Sequence, residues 1–195
     1  MQNVPPQAPA VSKAEPGPLA AHHPPGPPQP GAGLLFLREE EFRAAQDMLF
    51  FAFRDLLAAP DAILRDLGFG RAHHRALHWI GRLPDLKVGE LLMILGITKQ
   101  SLARVLGPLI QQGYVEQGKG KIDRRQRLLT LTEKGIALER KLYEAARERL
   151  AAAYREAGGQ AVDGFRKVLR GMTTEQGRKY LDVTDAPRGQ RTRAF

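Results

Sequence analysis

The chain has 195 residues, a net charge of +9 and a pI near 10.2, a balance that suggests a polyanionic partner but by itself also fits a membrane surface or plain solubility. It has no cysteine, which excludes disulfides, thiol redox chemistry and cysteine-rich zinc sites. No apolar run approaches the length of a membrane span, and no basic-then-apolar start marks a secretory signal, so a cytoplasmic protein with no membrane partner is expected.

Residues 1–33 are rich in Pro, Ala, Gly and Gln, and their only charges are Lys13 and Glu15. Such a composition cannot bury enough apolar surface to offset its ordering entropy, so a disordered tail is expected. His22 and His23 in it read as solvated side chains rather than metal ligands. All of the excess positive charge therefore lies in residues 34–195.

From Leu35 to Ala59 the pattern is helical, with Phe42, Ala45, Leu49, Phe53 and Leu56 recurring at three- and four-residue steps. Phe50, Phe51 and Leu57 widen the apolar face beyond one stripe. A helix that is apolar on several sides needs more than one cover, and a second subunit is the expected one. Pro60 is expected to end this helix.

A second helix is expected from Arg71 to Arg82, with Ala72, Leu77, Trp79 and Ile80 as apolar contacts. It carries His73, His74 and His78. His74 and His78 are one turn apart, hence on one face. The sequence supplies no neighbouring carboxylate or cysteine to complete a site, so packing roles are expected and no metal or cofactor is assigned.

Val88–Leu95 reads as a short helix, unusually apolar all round. Gly96-Ile97-Thr98 makes a corner, with Thr98 as N-cap of a helix from Lys99 to Gln112. On a helical wheel, Leu102, Val105, Leu106, Leu109 and Ile110 fall on one side. Gln100, Ser101, Arg104 and Gln111 fall opposite. Arg, Gln and Ser are residue types that read base edges, and the helix start favours a phosphate. Gly113 suits the C-cap. Tyr114–Gln117 and Arg127–Leu131 then read as two short strands. Residues 118–127 between and beside them hold Lys119, Lys121, Arg124, Arg125 and Arg127 against Asp123 alone, a net +4 on one hairpin. Helix, turn, helix and basic hairpin is the layout of a winged helix-turn-helix, in which one helix enters a DNA groove. Pro108 is expected to kink the second half of that helix, leaving base reading to Thr98 through Arg104.

Thr132 is expected to cap another helix running to about Ala157, where Gly158-Gly159 breaks it. A further amphipathic helix uses Val162, Phe165, Val168, Leu169 and Met172. A short helix from Thr174 to Leu181 and a flexible tail over 183–195 complete the chain.

Asp123, Arg125, Leu131, Thr132 and Gly135 together resemble the wing signature of the MarR family of bacterial winged-helix transcription regulators: Asp-x-Arg, then a strand ending in Leu-Thr-x-x-Gly. Gly96–Ser101 and Gly113-Tyr114-Val115 also match. The stretch from Gly68 to His78 resembles the PetP-like branch of that family. The resemblance implies a mainly α fold with a small β-hairpin wing: a MarR-type domain over 34–182, its winged core at 71–131 and dimerisation helices at 35–59 and 132–182. It implies a homodimer on double-stranded DNA with a pseudo-palindromic operator. Arg125 would enter the minor groove with Asp123 as its holder. Thr98, Lys99, Gln100, Ser101, Arg104, Lys119, Lys121 and Arg124 would complete the DNA-binding set. A small aromatic effector is implied too, and His74, His78 and Trp79 are the candidates to line its pocket. Departures from the pattern are Lys87 in place of a hydroxyl cap before the Val88 helix, apolar Met93 and Ile94 on its outer face, and Gly107-Pro108.

The alternative class is a winged helix that binds protein or RNA without specific DNA recognition. Readers of single-stranded RNA usually set aromatic side chains among basic ones, and this hairpin has none. No nucleophile–base pair, phosphate-cradling loop or paired carboxylates form a plausible constellation, so an enzyme is not expected.

Overall fold

The structure is a computed structural model that describes residues 38–120 and 125–185. The chain divides into two units, residues 1–43 and 44–195. Of the first, only residues 38–43 are described. They begin helix α1 (Glu39–Leu56) with three successive glutamates at its positive end, and Arg43 Nε donates to Glu39 Oε1 at 2.9 Å.

In the second unit, α1 continues to Leu56 and is followed by α2 (Ala58–Asp66), α3 (Arg71–Arg82), β1 (Leu86–Lys87), α4 (Val88–Leu95) and α5 (Lys99–Gln111). Then come β2 (Val115–Lys119), β3 (Arg127–Leu131), α6 (Glu133–Met172) and α7 (Glu175–Asp185). Pro60 does not end the helical region. It lies in the first turn of α2, where its missing N–H would have had no intrahelical partner, and the break falls at Leu57 instead. The helix after Thr174 also extends past the expected Leu181, to Asp185.

The core lies where α3, α4, α5 and the sheet meet. Leu77 and Ile80 of α3, Leu91 of α4, Leu102 and Leu109 of α5 and Leu129 of β3 are all essentially inaccessible. Each such side chain contributes roughly 1.5–3 kcal/mol by leaving water. Leu138 and Leu142 bring the first part of α6 onto the same core, opposite α2 and α3. The sheet has the order β1-β3-β2 and is antiparallel throughout, with Leu86 opposite Leu129 and Val115 opposite Leu131. Two residues are too few to show a period of two, so β1 is silent in the sequence.

Within α6 the backbone leaves helical geometry at Gly158 (φ 77°, ψ 164°), where the sequence places a break. In α7, Tyr180 and Val183 are buried, and Arg82 Nη2 of α3 donates to the Thr184 carbonyl at 3.2 Å. Among the described residues, no helix is long and apolar enough to cross a membrane.

Candidate nucleic-acid interface

The helix-turn-helix is α4 and α5. Lys87 lacks the hydroxyl that would cap α4, and the start is held from the other direction. Glu90 Oε2 accepts the Lys87 backbone N–H at 2.9 Å, and Lys87 Nζ lies 3.6 Å from Glu90 Oε1. Glu90 is buried, so this bond is shielded from water. Ile94 is half-buried against the core, while Met93 is 49% exposed.

At the start of α5, Thr98 Oγ1 accepts the Ser101 backbone N–H at 3.2 Å and lies 3.0 Å from Ser101 Oγ. The N-cap is thus built as the residue types require. Leu102, Val105, Leu106 and Leu109 are buried, and Ile110, expected with them, stays 37% exposed at the rim. Thr98, Lys99, Gln100, Ser101 and Arg104 are all exposed on the other side. One amphipathic helix therefore carries a core face and an exposed face of hydrogen-bonding side chains. Pro108 does not interrupt the helix, which runs on to Gln111. It removes only the bond to the Arg104 carbonyl, while Val105, Leu106 and Leu109 hold both halves on the core.

The exit of α5 is a Schellman motif. Gly113 takes a left-handed φ of 73°, its N–H bonds the Ile110 carbonyl at 3.0 Å, and the Tyr114 N–H bonds the Leu109 carbonyl at 2.8 Å. The strand therefore starts at Val115, one residue later than the pattern suggests, and runs to Lys119. β2 and β3 pair from Val115–Leu131 to Lys119–Arg127, and the Gly120 N–H bonds the Gln126 carbonyl at 2.9 Å, closing the hairpin base. Lys119, Arg125 and Arg127 are exposed there, and Arg127 Nη1 donates to Gln117 Oε1 at 3.1 Å. Lys121, Asp123 and Arg124 lie outside the described residues, as do residues 1–33 and 186–195 of the expected tails and residues 34–37 at the expected start of the domain. Residues 183–185, expected in the C-terminal tail, belong to α7, with Val183 and Thr184 buried.

β1 brings a feature that the sequence does not display. Because Lys87 pairs with Leu128, the start of α4 sits against the base of the wing. Lys87, Glu90 and Met93 face Arg125 and Arg127 across an open cleft of about 490 Å³. Lys87 thereby joins the basic surface of the hairpin. Only the register of a two-residue strand reveals this, and no local pattern encodes it.

The α3 histidines have separate environments. His73 Nδ1 lies 3.1 Å from the Gly70 backbone N–H at the helix start, and its ring stacks on Phe69 at 4.8 Å. His74 is half-buried, and burial chiefly, with His78 nearby, lowers its pKa against the opposing pull of Asp61 and Glu139. His78 Nδ1 lies 3.8 Å from Glu139 Oε1 of α6, a carboxylate that the linear sequence does not place nearby. Its ring meets Trp79 edge-on at 5.4 Å, and Trp79 meets Tyr180 of α7 at 6.3 Å. Among the described residues, no group of three His, Cys, Asp or Glu side chains has metal-binding geometry.

The MarR family model matches residues 67–126, from the loop before α3 to the wing. Over 153 residues the chain is 53% identical to the HTH-type transcriptional regulator PetP of Rhodobacter capsulatus, covering 78% of this chain and 92% of that one. The chain belongs to the MarR family. The likeness of the Gly68–His78 stretch to the PetP-like branch agrees with this relative. Two solved MarR-type structures share the fold. Streptococcus pneumoniae FabT in complex with DNA aligns with a TM-score of 0.58 at 20% identity, over 72% of this chain and 97% of that one. A mutant MarR from E. coli complexed with operator DNA aligns with a TM-score of 0.55 at 19% identity, over 69% and 97%.

Proposed function

We propose that this MarR-family transcriptional regulator is a homodimer that binds a pseudo-palindromic site in double-stranded DNA. One copy of α5 lies in each major-groove half-site and each wing reaches the adjacent minor groove. The observation that carries this reading is the exposed face of α5. Gln100, Ser101 and Arg104 project from a helix whose opposite side is pinned in the core, beside a basic hairpin. Arg pairs with guanine and Gln with adenine in the major groove, while a narrow minor groove attracts an arginine such as Arg125. Asp123 orients Arg125, and Lys99, Lys119, Lys121 and Arg124 meet phosphates. FabT and MarR, which share the fold, are both solved on DNA.

Dimerisation is supported by apolar surface that a single copy leaves in water. In α1, Met48, Phe50 and Phe53 are each more than half exposed, and no residue of the helix is buried. Beyond Gly158, Val168 and Met172 of α6 are equally open. Large apolar side chains left open in this way on a single copy are expected at an interface. In this reading residues 34–182 are the MarR-type domain, with 71–131 as its winged core and the helices at either end as its dimer interface. A small aromatic effector binds near His74, His78 and Trp79, where rings and half-buried imidazoles meet.

Arg125→Ala is expected to weaken operator binding by roughly 1–3 kcal/mol, measured by gel shift. Affinity should also fall steeply with salt, through release of counterions from phosphates. An unchanged affinity in the variant would remove the wing from the mechanism.

A further inference from the structure

The last turn of α5 is fastened to the first turn of α6 by a set of contacts that base reading does not use. Thr132 Oγ1 donates to the Gly113 carbonyl at 2.7 Å, and its backbone N–H donates to the Tyr114 carbonyl at 3.2 Å. The same hydroxyl oxygen accepts the Gly135 N–H at 3.0 Å, capping α6. Gly135 packs so closely that a Cβ there would lie 2.0 Å from the Tyr114 carbonyl oxygen. Lys134 completes the joint. Its Nζ donates to the Gln112 carbonyl at 2.9 Å and sits 4.2 Å above the Tyr114 ring centroid. Gln112 is the C-cap of α5, so this ammonium satisfies a carbonyl at the negative end of the helix dipole. The ring below it is buried and fixed by an edge contact with Phe69 at 5.4 Å.

We infer that Lys134 is a positioning residue for DNA recognition: it stiffens the angle between α5 and α6 and so sets the half-site spacing the dimer accepts. The inference rests on the dimeric, two-half-site reading above. The lever is long. From Glu133 to Gly158, α6 extends for roughly 38 Å at the usual rise per residue, so a change of about 5° at the joint moves its far end by about 3.3 Å. That nearly equals the rise of one base pair, about 3.4 Å. A stiff joint therefore resists a half-site displaced by one base pair, and a loosened joint accepts it. Lys134 is exposed, and its replacement leaves the Thr132 and Gly135 contacts of the joint in place.

The experiment measures the affinity of the full-length chain for its selected operator and for versions with the spacer changed by one base pair either way. It compares wild type, Lys134→Met and Lys134→Arg, with a single half-site and thermal melting as controls. Lys134→Met is expected to narrow the gap between the preferred and altered spacers by about fivefold, the factor that accompanies one hydrogen bond of ordinary net strength. Its single-half-site affinity and base preference should stay as in wild type. Lys134→Arg, which keeps a donor and a cation over the ring, should restore the gap. A wild-type spacing profile in Lys134→Met, or an equally flattened profile in Lys134→Arg, would overturn the inference. A wild type indifferent to the second half-site would overturn the dimeric reading itself, and is visible before any variant is tested.

Discussion

The two ends of α5 are built for opposite tasks. At its start only Thr98 caps the helix, and the neighbouring side chains point into solvent. At its end a Schellman turn, two backbone carbonyls and a lysine tie it into α6. A reading head must present unpaired donors and acceptors to a ligand that supplies their partners. A mounting must leave none. The same helix meets both demands because its core face is continuous from Leu102 to Leu109.

The largest effect should come from the mounting. Gly135→Ala places a methyl against the Tyr114 carbonyl, which belongs to packed backbone and has little room to retreat. Overpacking of this kind costs typically about 1–3 kcal/mol. Chemical denaturation should show a loss near the top of that range, and a stability equal to wild type would mean that the joint is soft. At the reading end, Gln100→Ala and Arg104→Ala should leave stability nearly unchanged, since both side chains are exposed. They should instead relax base preference at separate positions of the operator, each by about 1–3 kcal/mol of discrimination in a competition assay. Thr98→Ala should cost about 1 kcal/mol of stability through the lost cap, with a smaller effect on binding. A sharper contrast between the ends would follow if double variants across them proved additive.

The smallest effect concerns pH. The His74 imidazole is half-buried, and burial holds its pKa below the ordinary 6.5. The unfolded chain therefore takes up a proton at higher pH than the folded one. The stability this entails is fully present above about 6.5 and is lost as pH falls through the lowered folded value. Melting temperature should drop on acidification, and His74→Gln should shrink the drop. His73, also lowered chiefly by burial, accounts for part of what remains.

Much of this organisation is legible in the sequence because it is local. The boundaries of α3, α4 and β3 follow from three- and four-residue spacing, a glycine corner and a short β-branched and leucine run. Thr98 and Thr132 announce their caps by residue type, and Gly158 announces the break in α6. Pro60 misleads because proline is tolerated in a first turn as readily as after a last one. The cleft between α4 and the wing is hidden because it depends on Lys87 pairing across more than forty residues. Lys134 is hidden for a related reason. Its partners Gln112 and Tyr114 precede the wing in the chain, and nothing in the Leu-Thr-x-x-Gly signature specifies the two residues between Thr132 and Gly135. Gly135, by contrast, gains a physical reason for belonging to that signature: the Tyr114 carbonyl occupies the space a side chain would need.

Sequence-specific binding of two half-sites by two copies of the chain is open to selection of the 195-residue protein against random duplex DNA. One pseudo-palindrome with a fixed spacing should be enriched, and its base preferences should relax at defined positions in Gln100→Ala and Arg104→Ala. Enrichment of no sequence, or of the same sequence at the same strength in both variants, would contradict it.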